Sequence, residues 1–319
     1  MERPGSRISL IVPVFRDADV VLECLRSILA DPDAEGLDLI VVDDASGDDT
    51  PDRIVEAHLP GVRVIRRERN GGFARACGEG WRQRDPSREA VGVLNADTLV
   101  EPGWLSACLA TLLSDPECGC VVPSVVQQDD PERLDSAGQI YTVPGWAGRR
   151  GHGRPATDHA STEAVFGPTG CAMLARAEVI ENCGGLFRED FECYYEDTEL
   201  GFRLQQSGFK CLHVPGARVQ HRISQAYDRI PRRRAYFVSR NSTVLFWTAV
   251  PVRRWWSAIP QRCLLTTLLA IQALRKRCLI PFIRGRLEAW PLIFKGPSLR
   301  GSGAVLSRGW LSEARRASR

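Results

Sequence analysis

Residues 8–14 read Ile-Ser-Leu-Ile-Val-Pro-Val, a short apolar and β-branched run that is closed by turn-forming residues. Such a run is typical of a strand that is buried on both faces, as in a parallel sheet. Residues 19–30 follow with apolar side chains at helical spacing, which predicts a helix packed against that strand. This strand–helix pair is the unit from which the fold can be predicted.

The same unit recurs three more times before residue 114. We predict strands at 38–42, 62–65 and 90–94, and helices at 50–58, 72–84 and 102–113. Four alternations with short connections predict an α/β fold, with a mostly parallel sheet and helices on both faces. Ligands of such sheets bind beyond the carboxyl ends of the strands, so the residues directly after each strand are candidate site residues.

Beyond Val126 the alternation ends. Residues 127–162 are rich in Gly, Pro, Asp and Arg, and we predict long loops with short strands there. A helix is predicted at 196–207, a last strand at 210–214, and helical structure from Arg232 onward. We expect two parts, an α/β domain at 1–228 and a basic, Trp-containing helical region at 229–319.

The formal charge of +3 conceals a strong asymmetry along the 319 residues. Residues 229–319 hold 17 arginines and two lysines against two glutamates, a charge of +17, whereas residues 1–228 carry −14. An acidic front and a basic tail predict that the tail contacts something anionic, either nucleic acid or a membrane surface. No recognisable nucleic-acid-binding module is present, so we expect no nucleic-acid partner.

The longest apolar stretch, residues 258–274, is interrupted by polar residues and is shorter than the ~20 residues that a spanning helix needs. It predicts an interfacial amphipathic helix with Trp255, Trp256 and Trp290 at the level of the lipid headgroups. The alternative is a helical cap on the α/β domain with a solvated basic face.

The eleven cysteines lie mostly in apolar runs, and no two are spaced as a CxxC pair. Free, buried thiols in a reducing compartment are therefore expected, rather than disulfides or a structural zinc site. The chain begins without an apolar signal segment, which predicts a cytoplasmic protein.

Acidic residues follow two of the predicted strands. Asp43 and Asp44 end the second strand, where carboxylates could bind a pyrimidine N–H and a ribose hydroxyl. Asp97 follows the fourth strand, where it could hold Mg²⁺ or Mn²⁺ that bridges a diphosphate. Helix capping and turn formation are the alternative explanations for such residues.

A second acidic pair, Glu196 and Asp197, follows two tyrosines at the start of a predicted helix. A partly apolar setting could make one of these carboxylates a better general base, whereas a plain helix amino terminus also favours acidic residues. His221, after the last predicted strand, is a weak candidate when taken alone.

Taken in order, these pieces are similar to the family 2 glycosyltransferases, which have the GT-A fold. Among them, the rhamnosyltransferase-like branch of bacterial envelope polysaccharide synthesis is the most similar. The resemblance extends over about residues 8–245, and its specificity lies in the order and spacing of the motifs. The matching strings are residues 11–15, 41–50, 70–74, 94–98, 101–105, 170–174, 184–187 and 195–203.

The resemblance implies a role for each candidate residue. The nucleotide base and ribose would contact Pro13, Val14, Phe15, Asp43 and Asp44, with Arg75 near the base or diphosphate. Asn95 and Asp97 would be the first and last positions of the family's Asp-x-Asp metal motif, in which Asn95 replaces an aspartate. His221 would be the distant metal ligand, and Asp197, with Glu196 beside it, would be the catalytic base.

The resemblance also implies an activity, an inverting transfer of one sugar that depends on Mg²⁺ or Mn²⁺. The donor would be a nucleotide-diphosphate sugar, with dTDP-rhamnose or a UDP-sugar as candidates, and the acceptor a glycan or a lipid-linked glycan. The Gln-x-x-Arg-Trp motif of processive members is absent, which favours single-sugar transfer. We expect the enzyme on the cytoplasmic face of the membrane, as a peripheral protein attached to anionic lipid.

Two alternatives remain at this point. A sugar-1-phosphate nucleotidyltransferase would need a Gly-rich, basic phosphate loop after the first strand, and residues 15–19 contain no glycine. A non-catalytic scaffold in a membrane-bound assembly complex would not need to retain Asp97, Glu196, Asp197 and His221.

Overall fold

The structure, a computed structural model, describes residues 3–222, 231–295 and 298–299. The last 20 residues of the predicted basic region, 300–319, lie outside the described residues. The strands are β1 (Ile8–Val14), β2 (Asp38–Asp43), β3 (Val62–Arg66), β4 (Ala90–Leu94), β5 (Thr98–Val100), β6 (Cys118–Gln127), β7 (Asp130–Ser136), β8 (Gln139–Tyr141), β9 (Ala147–Arg149), β10 (Glu163–Val165), β11 (Ala172–Arg176) and β12 (Lys210–His221). The helices are α1 (Ala18–Leu29), α2 (Thr50–Glu56), α3 (Phe73–Gln83), α4 (Trp104–Ser114), α5 (Ala177–Asn182), α6 (Glu196–Gln206), α7 (Pro231–Ala249), α8 (Trp255–Arg275) and α9 (Leu279–Lys295).

One large sheet organises the chain, in the order β10-β12-β6-β11-β4-β1-β2-β3. The predicted amino-terminal strands β4, β1, β2 and β3 pair in parallel, as do β6 and β12. Because parallel strands end at the same edge, the residues after β1, β2 and β4 meet there. The α/β fold prediction is confirmed.

Two strands in the middle of the sheet are not predicted by the alternation of strand and helix patterns in the sequence. The ten residues of β6 are buried almost throughout, and β11 enters antiparallel between β4 and β6. The last strand is also longer than predicted, since a register shift between Val214 and Arg218 absorbs Pro215 and Gly216. Strand β12 thereby reaches His221 at the ligand-binding edge.

Helices cover both faces of the sheet, as predicted. Alternate residues of β1 point to opposite sides, so Leu10 and Val12 belong to one apolar cluster and Ile11 belongs to the other. The first cluster packs against α1 and α4, and the second packs against α3, α5 and α6. The sheet is therefore a rigid platform, buried on both sides, that fixes the strand ends.

Helix α7, which lies beyond the predicted division at residues 228 and 229, packs on the α/β part. Leu245 and Phe246 share an apolar cluster with Tyr141 and Phe202, while Val244 packs with Phe191. Helix α9 crosses α7 so closely that a Cβ atom at Gly285 would lie 2.3 Å from the carbonyl oxygen of Tyr236. The placement of the domain boundary stays a prediction.

Within the described ranges, every helix is too short or too polar to cross a membrane.

Candidate active site

A pocket of about 220 Å³ opens at the carboxyl ends of β1 and β2. It receives residues from four sources, the strand ends, the start of α3, the loop before α6, and the first turns of α7. Its lining residues are Pro13, Val14, Phe15, Asp44, Asn70, Gly72, Phe73, Ala76, Cys193, Tyr194, Arg233, Arg234 and Phe237. The pocket thus joins apolar and aromatic surface to one carboxylate and two guanidinium groups.

The carboxylate of Asp44 shapes the floor of this pocket. It is buried, accepts hydrogen bonds from the backbone N–H of Gly71 (2.9 Å) and Gly72 (2.7 Å), and forms an ion pair with Arg67. Gly72 has φ +84°, a conformation that L side chains rarely adopt. Asp44 therefore holds the tight turn that begins α3.

The neighbouring Asp43 is not among the residues that line the pocket. Its carboxylate accepts hydrogen bonds from the hydroxyl and the backbone N–H of Ser46, and the Ser46 hydroxyl accepts one from the backbone N–H of Arg16 (2.8 Å). Asp43 thereby braces the two loops that follow β1 and β2. Its predicted contact with the nucleotide has no counterpart in the pocket lining.

Two further predicted residues lie beside the pocket rather than in its lining. Arg75 stands in the first turn of α3, where its side chain covers Gly71 together with Arg67. Asn95 is fixed through its backbone, whose N–H donates to the carbonyl of Cys171 (2.8 Å) and whose carbonyl accepts from the Thr98 hydroxyl (2.7 Å).

The predicted metal ligands Asp97 and His221 come together because β12 pairs with β5, which places His221 opposite Thr98. The Nε2 atom of His221 lies 3.3 Å from Oδ1 of Asp97. On the other side of the ring, Nδ1 lies 3.1 Å from Oδ2 of Asp135. An ionised carboxylate can only accept, so Nδ1 carries a proton and Nε2 faces Asp97.

This arrangement fits a divalent cation. The buried Nε2 of His221 has no hydrogen-bond partner of acceptable geometry, and it is directed at a carboxylate oxygen. A histidine whose other nitrogen donates to a carboxylate is the usual form of a metal-binding histidine. Among the described residues, no three His, Cys, Asp or Glu side chains converge on one point, so diphosphate oxygens and water would complete the shell.

Without a cation, the same contacts favour a proton on Nε2. Burial alone would lower the pKa of His221, but the Cys171 sulfur and the carboxylates of Asp135 and Asp97 raise the pKa well above its usual value. Asp135 is itself buried, and it also contacts Arg149 and His152. Although burial would raise its pKa, hydrogen bonds from His152 and His221 and the charge of Arg149 keep the pKa low.

The predicted base Asp197 lies in the first turn of α6. Its Oδ2 accepts a hydrogen bond from the backbone N–H of Gly170 (2.9 Å), and its Oδ1 accepts one from the N–H of Thr198 (2.7 Å). Burial raises the pKa of Asp197, although these hydrogen bonds oppose the shift. A raised pKa makes a carboxylate a stronger base near neutral pH.

Glu196 differs from Asp197 because one of its carboxyl oxygens accepts no hydrogen bond. Its Oε2 is buried without a hydrogen-bond partner, and burial together with the negative charge of Asp197 raises its pKa well above the ordinary value. Glu196 therefore holds its proton to a higher pH than an ordinary glutamate does. Of the two predicted catalytic carboxylates, Asp197 is the one that hydrogen bonds from Gly170 and Thr198 hold in place.

A short segment, Gly170–Cys171, connects the predicted base Asp197 to the predicted metal ligands Asp97 and His221. Gly170 binds Asp197, while the next residue, Cys171, binds the backbone of Asn95 and has its sulfur beside His221. A Cβ atom at Gly170 would lie 3.1 Å from Phe73 of the pocket and 3.6 Å from Oδ2 of Asp197. Contacts of Gly170 and Cys171 thus link the pocket wall at Phe73 to Asp197 and to the Asp97–His221 pair.

Several residues of this site carry no sequence prediction. Asp135 lies in the region 127–162, where the sequence shows no regular pattern. Arg233, Arg234 and Phe237 belong to the basic tail, whose charge suggests a membrane contact instead. Asn70 and Phe73 do lie in a family motif, so that motif could have indicated them.

A family model described as glycosyl transferase family 2 matches residues 9–184, which is more than half of the chain. The chain therefore belongs to family 2 of the glycosyltransferases, and it is a glycosyltransferase. Among curated relatives, the N-acetylglucosaminyl-diphospho-decaprenol L-rhamnosyltransferase of Mycobacterium tuberculosis is 26% identical over 265 residues, which cover 74% of this chain and 81% of the relative. The resemblance to this family and its rhamnosyltransferase-like members is confirmed.

Two other relatives are much longer proteins. An uncharacterized protein of Sinorhizobium fredii is 27% identical over 244 residues, and an O-antigen biosynthesis protein of Myxococcus xanthus is 26% identical over 239 residues. Each match covers 72% of this chain but only 26% and 18%, respectively, of the relative. This chain thus spans about a quarter or less of those two proteins.

Solved structures share the fold. GalNAc-T7, solved with UDP, GalNAc and Mn²⁺, superimposes with a TM-score of 0.57 at 17% identity, over 76% of this chain and 50% of that chain. The mannosyltransferase PcManGT of Pyrobaculum calidifontis, solved with GDP-Man and Mn²⁺, gives 0.55 at 19% identity, over 89% and 87%. The GT-A fold is confirmed, and the family membership decides against the nucleotidyltransferase alternative.

Proposed function

We propose that this enzyme transfers one sugar from a nucleotide-diphosphate donor to a hydroxyl of a glycan or lipid-linked acceptor, with inversion at the anomeric carbon. The proposal includes envelope polysaccharide synthesis as the setting, and dTDP-rhamnose or a UDP-sugar as the donor. Relatives named for rhamnosyl transfer and O-antigen biosynthesis support this setting.

One observation carries the proposal: the segment Gly170–Cys171 contacts Phe73 of the pocket, Asp197 and His221, and so links the pocket wall to these candidate residues. The pocket has the mixed character that a nucleotide diphosphate requires. Phe15, which is 43% exposed, offers an aromatic face for a base, while Arg233 and Arg234 offer positive charge for phosphates.

In the proposed reaction, an Asp197 oxygen takes the proton of the acceptor hydroxyl while the oxygen of that hydroxyl attacks the anomeric carbon. The new glycosidic bond forms as the bond to the diphosphate oxygen breaks, and the nucleoside diphosphate leaves with that electron pair. A single displacement inverts the anomeric configuration. Gly170 and Thr198 fix the carboxylate through their N–H groups, so that it approaches the sugar in one orientation.

A divalent cation, Mg²⁺ or Mn²⁺, would neutralise the charge that develops on the diphosphate. Asp97 and His221 would hold it, and Asp135 would keep the His221 ring in the required orientation. The Mn²⁺ in both solved relatives of the same fold supports a divalent cation here. Arg233 and Arg234 would add positive charge from the pocket lining.

A thermal-shift screen tests the donor and metal proposals together. The protein is mixed with UDP-, dTDP- and GDP-sugars, with and without Mn²⁺, and specific binding raises the melting temperature. We expect Asp97→Ala to remove the Mn²⁺-dependent part of the shift, whereas Asp130→Ala, an exposed aspartate paired with Arg133, retains it. A wild-type protein that gains nothing from Mn²⁺ with any donor would exclude the metal, and a product with retained anomeric configuration would exclude the inverting mechanism.

The proposal extends to the membrane surface. Of the thirteen large apolar side chains that are exposed in the described residues, eleven lie between Val252 and Phe294. On α8, the outward side carries Trp256, Leu264, Leu268, Ile271 and Leu274.

The charges of α8 lie where a membrane-surface helix would need them. Arg262, the only charged residue between Trp255 and Leu274 of α8, points inward and donates to the carbonyl of Pro144 (3.2 Å) and to the hydroxyls of Ser242 and Thr243. Arg253 and Arg254 precede the outward apolar face, and Arg275, Lys276 and Arg277 follow it. An apolar face with basic ends suits insertion among anionic headgroups.

Vesicle sedimentation tests this surface in the full-length protein. We expect binding to phosphatidylglycerol vesicles that weakens with salt, because salt screens the arginines but leaves the apolar contribution. Replacing Leu268 and Ile271 together by serine should weaken binding more than about tenfold, since each buried aliphatic side chain contributes about 1.5–3 kcal/mol. Val55→Ser, an exposed apolar position on α2, is the control. Wild-type protein that ignores anionic vesicles at low salt would favour the helical cap instead.

A further inference from the structure

The loop at residues 190–195 leads directly into Glu196 and Asp197, and its Cys193 and Tyr194 line the pocket. Three of its residues that are not glycine have left-handed backbone angles, Glu192 (φ 59°), Tyr194 (φ 68°) and Tyr195 (φ 71°). Such angles persist only where the surrounding structure enforces them, and they concentrate at functional sites. Contacts that hold this loop in place therefore bear on the site.

Two adjacent residues of α7 hold the loop through its carbonyl groups. The amide nitrogen of Asn241 lies within hydrogen-bond distance of the carbonyl oxygens of Phe191 (2.8 Å), Cys193 (3.0 Å) and Tyr194 (2.7 Å). The guanidinium of Arg240 donates to the carbonyls of Asp190 (2.6 Å) and Phe191 (3.1 Å). We call this pair the Arg240–Asn241 clamp.

The clamp is internally ordered. Arg240 Nε donates to Oδ1 of Asn241 (3.0 Å), which turns the amide NH₂ group toward the loop. Both side chains are buried, Arg240 at 6% exposure and Asn241 at 0%. The positive charge of Arg240 also lies 3.3 Å from the carboxylate of Glu192.

The opposite side of the loop rests on the start of α3. The carbonyl of Glu192 accepts a hydrogen bond from the N–H of Ala74 (2.9 Å), and a Cβ atom at Gly72 would lie 2.7 Å from that oxygen. The loop is thus held between α3, which shapes the pocket, and α7, which carries the clamp. A change in either support would move both Asp197 and the pocket wall.

We propose that Arg240 and Asn241 are positioning residues for glycosyl transfer, which fix the 190–195 loop so that Asp197 meets the acceptor hydroxyl in line with the donor sugar. The inference rests on the proposed function of Asp197 as the base. It also makes α7 an integral part of the catalytic unit, although α7 lies beyond residue 228. The clamp acts through backbone carbonyls, and neither of its residues lines the pocket.

The first test needs no substrate. Hydrogen exchange is followed in full-length Asn241→Ala, with Thr248→Val as the matched control, because Thr248 is a buried residue of α7 whose hydroxyl bonds within its own helix. We expect faster exchange at residues 190–200 and at Ala74 in Asn241→Ala only. Unchanged exchange in these segments would overturn the clamp.

The second test measures turnover of the sugar nucleotide that stabilises the wild type most, with water as the acceptor. Because a displacement of about 1 Å at a reacting group can cost about 100-fold in rate, we expect kcat of Asn241→Ala to fall by about that factor. KM should rise by less than about tenfold, since most of the pocket lining is untouched. If Asn241→Ala does not fold, Arg240→Lys takes its place, because a lysine cannot bind two carbonyls and the Asn241 amide together. We expect Arg240→Lys to lose about tenfold in kcat, with a smaller change in KM.

The two tests separate the two proposals. Faster loop exchange with wild-type kcat would overturn the positioning role. A wild-type protein that turns over none of the sugar nucleotides would overturn the proposed function, and with it the catalytic role of the clamp, while the exchange data would still decide whether the clamp holds the loop.

Discussion

The close crossing of α7 and α9 at Gly285 predicts that Gly285→Ala destabilises the protein. A Cβ atom at this position would lie 2.3 Å from the carbonyl oxygen of Tyr236 and 3.1 Å from the backbone nitrogen of Arg240. Normal contact distances are about 3.5 Å, so the two helices must separate by about 1 Å. Because both obstacles are backbone atoms, no side-chain rotation can relieve the overlap.

The expected magnitude combines two opposing effects. Overpacking of this kind costs about 1–3 kcal/mol, with the upper end expected for backbone obstacles, whereas alanine favours a helix over glycine by about 1 kcal/mol. The net loss should be about 1–2 kcal/mol. Urea unfolding followed by tryptophan fluorescence measures it as a lower midpoint with an unchanged m value.

A second measurement links this crossing to the site. Helix α7 also presents Arg233, Arg234 and Phe237 to the pocket. The displacement of α7 in Gly285→Ala should therefore weaken nucleoside diphosphate binding. Gly216→Ala is the control, because a Cβ atom there meets nothing within 4 Å. If Gly285→Ala is as stable as the wild type, α9 does not pack on α7 in this way, and the reasoning is refuted.

Three further predictions concern the carboxylates of the site. Asp197→Asn should nearly abolish transfer while nucleoside diphosphate binding is retained, and wild-type turnover should be lost as pH falls through a pKa above the ordinary ~3.9 of aspartate; an acid limb at the ordinary value would contradict the assignment. Glu196→Gln should flatten the pH dependence of stability. In the folded wild type the pKa of Glu196 is raised, whereas the unfolded chain releases this proton above about pH 4.3. The stability of the wild type therefore falls by up to about 1.4 kcal/mol per pH unit as the pH rises toward the raised pKa. Equal pH dependence of the unfolding free energy in the wild type and Glu196→Gln from pH 5 to 8 would exclude this. Asp135→Asn should weaken Mn²⁺ binding about 10–100-fold by electron paramagnetic resonance, whereas Asp130→Asn on the same strand should not, and equal affinities would show that Asp135 does not orient His221.

The sequence predicts the amino-terminal half of the sheet well, because each strand there is a short apolar run between turn residues. Strand β6 is different, since nine buried residues in a row show neither strand nor helix periodicity. The sequence also does not predict that β12 extends to His221. A Pro-Gly pair such as Pro215–Gly216 usually ends a strand, whereas here it forms a bulge within the strand.

Some residues of the candidate site can be predicted from their neighbours in the sequence, whereas others depend on contacts between distant parts of the chain. Asp44, Asp97 and Asp197 can be found from local motifs, because each follows a strand or begins a helix. The contact of Asp135 with His221 joins residues 86 positions apart, and nothing local in either segment indicates it. Likewise, the charge of α7 suggests a surface helix, whereas packing turns Arg240 and Asn241 inward against the 190–195 loop.

The thiols of the chain offer an experimental advantage. All eleven cysteines are free, and ten of them are buried or half-buried. The exposed one, Cys263, lies on α8 beside Leu264, on the outward apolar face. A maleimide dye or nitroxide should therefore react selectively at Cys263 in the unaltered protein, and its emission colour or its quenching by labelled lipids would report directly how deeply this helix enters a bilayer.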